Sequence, residues 1–593
     1  MPPNPQIVRE AAARDEAASV QERTGFLTGK ISAPRIAIPL IIALGLLLFI
    51  VNLGGYPFYT KGEPREAVTV LDIVNGGGIV LPMRAGVEIP SKPPLMHWFA
   101  ALASVAAGVV NEWTVRLPSA IFAIGGMLLC YFYIGALFDD RSGLLAALIL
   151  GTTIQYLQAG SGARVDMTLT FFMEAAFFEF IMFAEGVSRR WILLYFAVAL
   201  AVLAKGPVGL ALPAIAGAVW LVFERRWRLV AELKLYWGAL IVLVIDGGWY
   251  LAASLICGPA FVHKQVLAEN LFRFFGNASF HEGHVHPFYY LEGALILGFI
   301  PWTFIAPAVA LQFVRGRRAS SPRLRYLAVW CLVVLIFYSF ARSKRGVYLL
   351  SLYPALAALF GIMMADAASN PQKIRRWIAV LSRVAGVFFA TAGAAVIAGV
   401  AILQLHPALI ASGIATLGWD RALLPQLQAA VLQYRNISVA IALAAIGISV
   451  MLIARASAYR LVIGAAAGVT CLALIANLMI VPALARTVSL KGFTASAMRI
   501  VDDHSVAYVG GLNYDIAFYS GRVIPIAARG TQSRPDFLLC WRRVYDTMPP
   551  RTRGDLTIAL ASHPARLDGK GVMLLLRRGD APASANPNRP PPH

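Results

Sequence analysis

This chain is poor in charge. Asp, Glu, Lys and Arg make up 14% of its 593 residues, against 58% apolar, and the mean hydropathy is +0.67. A soluble globular chain of this length needs more charge to clothe its surface, so that class is excluded. Acidic residues are scarcer still: 31 Asp and Glu stand against 52 Lys and Arg, a net charge of +21. In so apolar a chain this excess reads as the inward bias of cations in membrane proteins and as attraction to anionic lipid; no nucleic-acid partner is expected. The five cysteines, Cys130, Cys257, Cys331, Cys471 and Cys540, are scattered and show no CxxC or Cys/His metal spacing. That excludes a disulfide framework and a cysteine metal centre. Residues 1–34 lack a short basic start, an apolar core and a small-residue cleavage site, so no cleaved signal is expected. No internal repeat is visible, nor the matched pair of Gly/Pro-broken spans common in transporters.

What the chain has in quantity is apolar runs near the roughly 20 residues that span a bilayer. They fall at roughly 36–54, 117–138, 143–160, 167–186, 191–204, 208–223, 236–256, 289–313, 326–341, 347–365, 377–404, 435–454 and 461–483. The expectation is a polytopic α-helical membrane protein with about thirteen spans. Arg9, Arg14, Arg23, Lys30 and Arg35 place the N-terminal tail, 1–35, in the cytoplasm and the loop after the first span outside. His97 to Val110 is short for a crossing and reads as an interfacial helix. Cations then gather at nearly every inner loop. The exceptions on the outer side are Arg65, Arg84, Lys92, Arg116, Arg164, Lys205, Arg273, Arg342, Lys344 and Arg345. An anionic ligand at the outer face would account for them.

The densest stretch is 55–100. Pro64 opens a helix, which is to stop at Asn75-Gly76-Gly77-Gly78, with Glu63 at its lip and Arg65 beside it. Glu63 reads equally as a capping carboxylate. Asp166 after Arg164 is an N-cap or one of a set of outer-face acids. Lys92 before Pro93-Pro94, and Lys205 before Gly206-Pro207, are snorkelling lysines or fixed charges for a phosphate. Arg342-Ser-Lys344-Arg345 reads as an anion clamp if it lies outside. His281, His284 and His286 could hold a metal, although closely spaced loop histidines usually do not. Residues 484–577 read as a small α/β domain. Its strand candidates lie at Val506–Gly510, Val523–Ile526, Phe537–Cys540, Leu556–Leu560 and Val572–Leu576, with a helix over Asn513–Tyr519. Residues 578–593 have a disordered composition.

Taken in order, Gly62-Glu63-Pro-Arg65-Glu-Ala, Lys92-Pro-Pro-Leu, Arg116-Leu-Pro, Arg164-Val-Asp166, Lys205-Gly-Pro, Glu269-Asn270-x-x-Arg273-Phe, Gly283-His284 to Pro287-Phe-Tyr-Tyr and Lys344 to Tyr348-Leu-Leu resemble the bacterial GT-C glycosyltransferases. These are relatives of the protein O-mannosyltransferases and of the lipid A aminoarabinose transferase. The resemblance covers about Tyr56 to Pro354. It implies a transmembrane glycosyltransferase domain over 36–483 with a periplasmic loop at 55–116, a periplasmic 484–577 domain, and the bacterial inner membrane as location. It also implies transfer of a sugar from a polyprenyl-phosphate donor to a lipid, glycan or protein hydroxyl. By the same resemblance Glu63 and Asp166 are the catalytic acids, Lys92, Arg273 and Lys344 bind the donor phosphate and Tyr348 lies at the donor site; Arg65 is expected to orient Glu63 as a further catalytic residue, and Lys205 to join the phosphate-binding cations. The family's first loop usually carries an Asp-Glu pair, where this chain has Gly62-Glu63. The metal ligands of the aminoarabinose transferases fall on Ser91 and Asn270 here; no metal ligand is assigned, and the cofactor is left open between none and a divalent metal. The alternative function is a transporter or flippase of lipid-linked saccharides, which would need charged groups near mid-membrane.

Overall fold

The computed structural model describes residues 32–60, 62–275, 285–315, 321–369, 375–408, 410, 412, 423–454, 457–527, 535–563 and 571–579. The N-terminal tail up to residue 31, the C-terminal tail from 580, Lys61, His281 and His284 lie outside them.

The protein is a polytopic helical membrane protein. Among the described residues eight helices are long and apolar enough to cross a bilayer, or ten if two sharply bent pairs each count as one span. In chain order the elements that build the site begin with α1, Pro34–Gly45, and the loop helix α2, Glu63–Val74. They continue with α3, Leu95–Ala107, and α4, Glu112–Leu137. The bent pair α5, Asp140–Gly151, and α6, Ile154–Gly160, comes next. Then follow α7, Val165–Ala184; α8, Trp191–Lys205; α9, Val208–Glu224; and α10, Leu235–Cys257. The central helix is α7, with 83% of its apolar window buried, and it packs on α4 and α8. Beyond it lie α11, Tyr290–Gly298; α12, Ala306–Arg315; α13, Pro322–Phe340; and α14, Tyr353–Ser369. Two long, mostly unburied helices, α15 (Arg375–Leu405) and α16 (Leu423–Ala454), pack on each other. The run ends with α17, Ala458–Ile475; α18, Val481–Val488; and α19, Lys491–Val501.

Two runs expected as straight spans are bent. The 143–160 run breaks by 70° at Thr152-Thr153, whose hydroxyls both bond back to carbonyls of the preceding turn. The 289–313 run turns by 100° before Trp302, where Pro301 removes an amide donor. The two breaks meet, since Ile154 N donates to Ile300 O at 3.1 Å. The carbonyl freed at one break is thus satisfied by the other.

The chain after α19 folds as a four-stranded sheet with short helices. Its strands are β1, Val506–Tyr508; β2, Phe537–Trp541; β3, Leu556–Ala561; and β4, Met573–Arg578. They lie in the order β1-β2-β4-β3, with β1 parallel to β2 and the other pairs antiparallel. Alternating residues of β2 and β4 feed two apolar clusters: Leu539 and Leu575 on one face, Leu538 and Leu574 on the other. The Val523–Ile526 strand is not formed. Pro525 has no amide to donate, and this stretch makes an isolated bridge between Ile526 and Tyr508. A short helix, α20 (Tyr514–Tyr519), is capped by the Asn513 side chain.

Candidate active site

The first loop is built as its turn signals predict. Glu63 and Pro64 open α2, and Asn75 caps its far end. Gly76 then leaves at φ 85°, a left-handed conformation that glycine adopts without a side-chain clash. Glu63 is 1% exposed and closely held. Arg116 Nε donates to its Oε1 at 2.7 Å and Nη2 to its Oε2 at 3.4 Å; Thr60 Oγ1 and the Ala163 amide also donate to it. Burial pushes the Glu63 carboxyl up, but Arg116 and Arg164 outweigh that and hold it below its ordinary range. Arg116 also donates to the carbonyls of Leu53, Tyr56 and Pro57 and lies over the Tyr56 ring. It thereby closes the loop around itself.

Arg65 was expected to orient Glu63. It donates instead to Glu66 Oε1 through Nε at 2.9 Å and through Nη2 at 2.5 Å. Two helical positions turn Arg65 about 200° from Glu63, onto the opposite face, and Arg116 reaches that acid from α4. Glu66 is the hub of a second buried set, with His97 Nε2 at 2.8 Å and Arg84 Nη2 at 3.9 Å. Burial opposes the ionised form of Glu66, yet Arg65, His97 and Arg84 hold its carboxyl well below the usual range. These partners were missed in the sequence. The available signal was Glu66 one helical turn from Glu63, together with a histidine on the buried face of an apolar helix.

The third set carries most of the expected phosphate ligands. Lys92 Nζ lies 3.6 Å from Glu269 Oε2, Arg273 Nη2 3.1 Å from the same oxygen, and Lys264 Nζ 3.7 Å from Oε1. Burial, partly offset by Glu269 and reinforced by Arg273 and Lys205, pulls the Lys92 ammonium down to about 7. The start of α7 gives Asp166, which pairs closely with Lys205 from the end of α8. The Lys205 ammonium lies 4.4 Å from the centre of the Tyr348 ring. Lys344 is buried too, but its ammonium donates to the His286 carbonyl at 3.2 Å, beside the bridge of Val285 to Ser343. It ties two loops together, because the backbone there offers it an acceptor. The neighbouring Arg345 lies near enough to Arg273, Arg65 and Asp166 to feel their charges. The structure therefore gathers Lys92, Asp166, Lys205, Arg273, Tyr348 and Arg65, with Glu63 joined to them through Ala163 and Arg164. A separate cavity of about 380 Å³, lined by Asp139, Asp140, Arg141 and Asp366, lies beyond the far end of α4 and shares none of these groups.

The chain is similar to known proteins in sequence and in fold. The family described as dolichyl-phosphate-mannose-protein mannosyltransferase matches residues 91–249. The chain is 27% identical over 334 residues to an undecaprenyl phosphate-alpha-4-amino-4-deoxy-L-arabinose arabinosyl transferase of Shewanella sediminis, covering 55% of this chain and 60% of that one. It is 28% identical over 383 residues to the protein of that name from Pseudomonas aeruginosa strain UCBPP-PA14, covering 62% and 65%. The chain thus spans about three-fifths of the length of these curated relatives. The crystal structure of ArnT from Cupriavidus metallidurans bound to undecaprenyl phosphate superposes with a TM-score of 0.70 at 18% identity, covering 92% of this chain and 98% of that one. The chain has the fold of that structure, a polytopic membrane GT-C fold. The resemblance read from its motifs is borne out, on the branch that includes the lipid A aminoarabinose transferases.

Within the GT-C fold the donor set does not suit a divalent metal. Ser91 Oγ accepts from Arg84 Nη2 at 3.2 Å. Asn270 donates its side-chain amide to the Gln265 carbonyl. Of the nearby carboxylates, Glu269 already faces Lys92, Lys264 and Arg273, and Glu66 faces Arg65, Arg84 and His97. Metal ligands need to be anionic or neutral donors free of such cations. Among the described residues no group of three or more His, Cys, Asp and Glu could hold a metal ion. His286 stacks on the Tyr290 ring with centroids 4.0 Å apart, and the other two histidines of that loop are outside the described residues. Gly62, where the family usually carries an acid, leaves room: a Cβ there would sit 3.6 Å from Arg164 Nη1.

Proposed function

We propose that this protein transfers a sugar from a polyprenyl-phosphate donor to an acceptor hydroxyl at the periplasmic face of the bacterial inner membrane. The acceptor is lipid A, another glycan or a protein. The observation that carries this reading is the gathering of Lys92, Lys205 and Arg273 beside Asp166, from four segments of the chain between residues 92 and 273. In this reading the chain has about thirteen spans, a cytoplasmic N-terminus and a periplasmic α/β domain over 484–577.

Transfer breaks the bond between the anomeric carbon and the phosphate oxygen, and the electron pair stays on the phosphate. The acceptor oxygen forms the new bond from the opposite face, so the configuration inverts. Positive charge develops on the sugar ring and negative charge on the phosphate. Lys92, Arg273 and Arg345 stabilise that leaving phosphate as preorganised charges held out of bulk water, with Lys205 and Tyr348 at its flank. The acceptor proton passes to a carboxylate. Asp166 is the better placed of the two expected acids, because the lone pairs of Glu63 are taken by Arg116, Thr60 and Ala163. Glu63 then acts as a positioning residue. It ties the first loop to the turn that precedes α7, at Ala163, three residues before Asp166.

The test is transfer by purified protein in lipid vesicles from an undecaprenyl-phosphate sugar to lipid A. The wild type is expected to transfer and the Lys92→Ala and Asp166→Asn variants to lose turnover. Wild-type turnover in both folded variants would sink the reading.

A further inference from the structure

The short helix α20 is too brief to be stable alone. It is held by Ile516 in the sheet's core and by its Asn513 cap. Its two ends each grip the first loop. At one end the Tyr514 hydroxyl bonds closely to Glu88. Glu88 pairs with Arg84 Nη1 at 3.4 Å, and the two exchange backbone bonds of 2.9 and 3.1 Å. Arg84 in turn donates to Ser91, the residue before Lys92. At the other end the Phe58 amide donates to the Tyr519 hydroxyl at 2.9 Å, and that hydroxyl donates to Glu112 Oε1 at 2.9 Å. Lys491, from α19, reaches the same carboxylate at 2.8 Å. Phe58 also meets the Phe518 ring edge-on and lies under the Arg116 guanidinium that holds Glu63.

Half-buried hydroxyls bonded to carboxylates fix geometry more firmly than apolar contact does, since the bond is directional and charge-assisted. We propose that α20 is a two-armed clamp on the first loop: Tyr514 sets the arm that carries Lys92, and Tyr519 sets the arm that carries Glu63 and Arg116. The C-terminal unit is thus a positioning element of the site. Donor grip depends on one arm and placement of the acids on the other. This rests on the transferase reading above.

The experiment takes full-length Tyr514→Phe and Tyr519→Phe variants. It measures kcat, donor KM, the melting curve and hydrogen exchange over residues 56–92. A lost hydrogen bond to a charged group predicts roughly tenfold effects. Tyr514→Phe is expected to raise the donor KM by that factor with kcat within about twofold, and Tyr519→Phe to lower kcat with KM within about twofold. Loop exchange should quicken in both. Unchanged kcat and KM in both variants would overturn the clamp. So would a loss that only tracks the fraction of folded protein, or unchanged loop exchange. If the wild type transfers no sugar from any polyprenyl-phosphate donor while loop exchange quickens in the variants, the transferase reading falls and the clamp stands.

Discussion

Glu63 and Asp166 occupy contrasting seats in the same neighbourhood. Glu63 is 1% exposed, and Arg116, Thr60 and the Ala163 amide saturate it. Asp166 is 9% exposed and bonded to Lys205, itself beside the open face of a tyrosine ring. Neutralising a saturated acid strands a buried guanidinium and costs structure. Neutralising Asp166, which is buried but bonded to a lysine alone, costs less structure and removes chemistry. The sequence offers the two acids as equals, and their surroundings separate them.

The largest expected effect is Asp166→Asn: kcat falls on the order of a thousandfold while the melting temperature in detergent hardly moves. Lys92→Ala comes next, with kcat/KM for the donor down roughly a hundredfold or more. Glu63→Gln should invert this pattern. It destabilises by about 3–5 kcal/mol, because Arg116 stays buried without its counter-charge, whereas the surviving folded enzyme turns over within about tenfold of wild type. A stable Glu63→Gln enzyme with kcat as low as that of Asp166→Asn would exchange the two roles. A smaller effect is the pH profile. The Lys92 ammonium is pulled down to about 7, so it is charged below that pH and neutral above. Donor kcat/KM should fall as pH rises through about 7, and Lys92→Arg should abolish that limb. Smallest of all, Lys344→Met should change donor KM by no more than about threefold, since its ammonium serves the His286 carbonyl.

The sequence made the membrane class legible, because hydropathy over about 20 residues depends on composition alone. The α2 helix and its glycine stop were legible for the same local reason. The bends at Thr152-Thr153 and Pro301 were not, as apolar runs do not show where a helix breaks within the bilayer. The cations that oppose the inward bias pointed to the site, and Lys92, Lys205, Arg273 and Arg345 do gather there. Pairing was the part that stayed hidden. Arg116 finds Glu63 across 53 residues and Tyr514 finds Glu88 across 426; no local pattern encodes such distances. Glu269 reads as one motif letter among several, yet in space three cations share it.

The α10 helix turns most of its surface outward, with Leu240, Leu243, Val244, Leu251 and Leu255 unpacked, and 17% of its apolar window is buried. On the proposed function, a carrier with a long isoprenoid tail would reach the cations sideways, its chain never leaving the oily phase. The reactant that matters is then a fraction of the surrounding lipid, not a molarity. Diluting the vesicles in buffer would leave turnover untouched, while diluting the carrier with inert phospholipid would slow it.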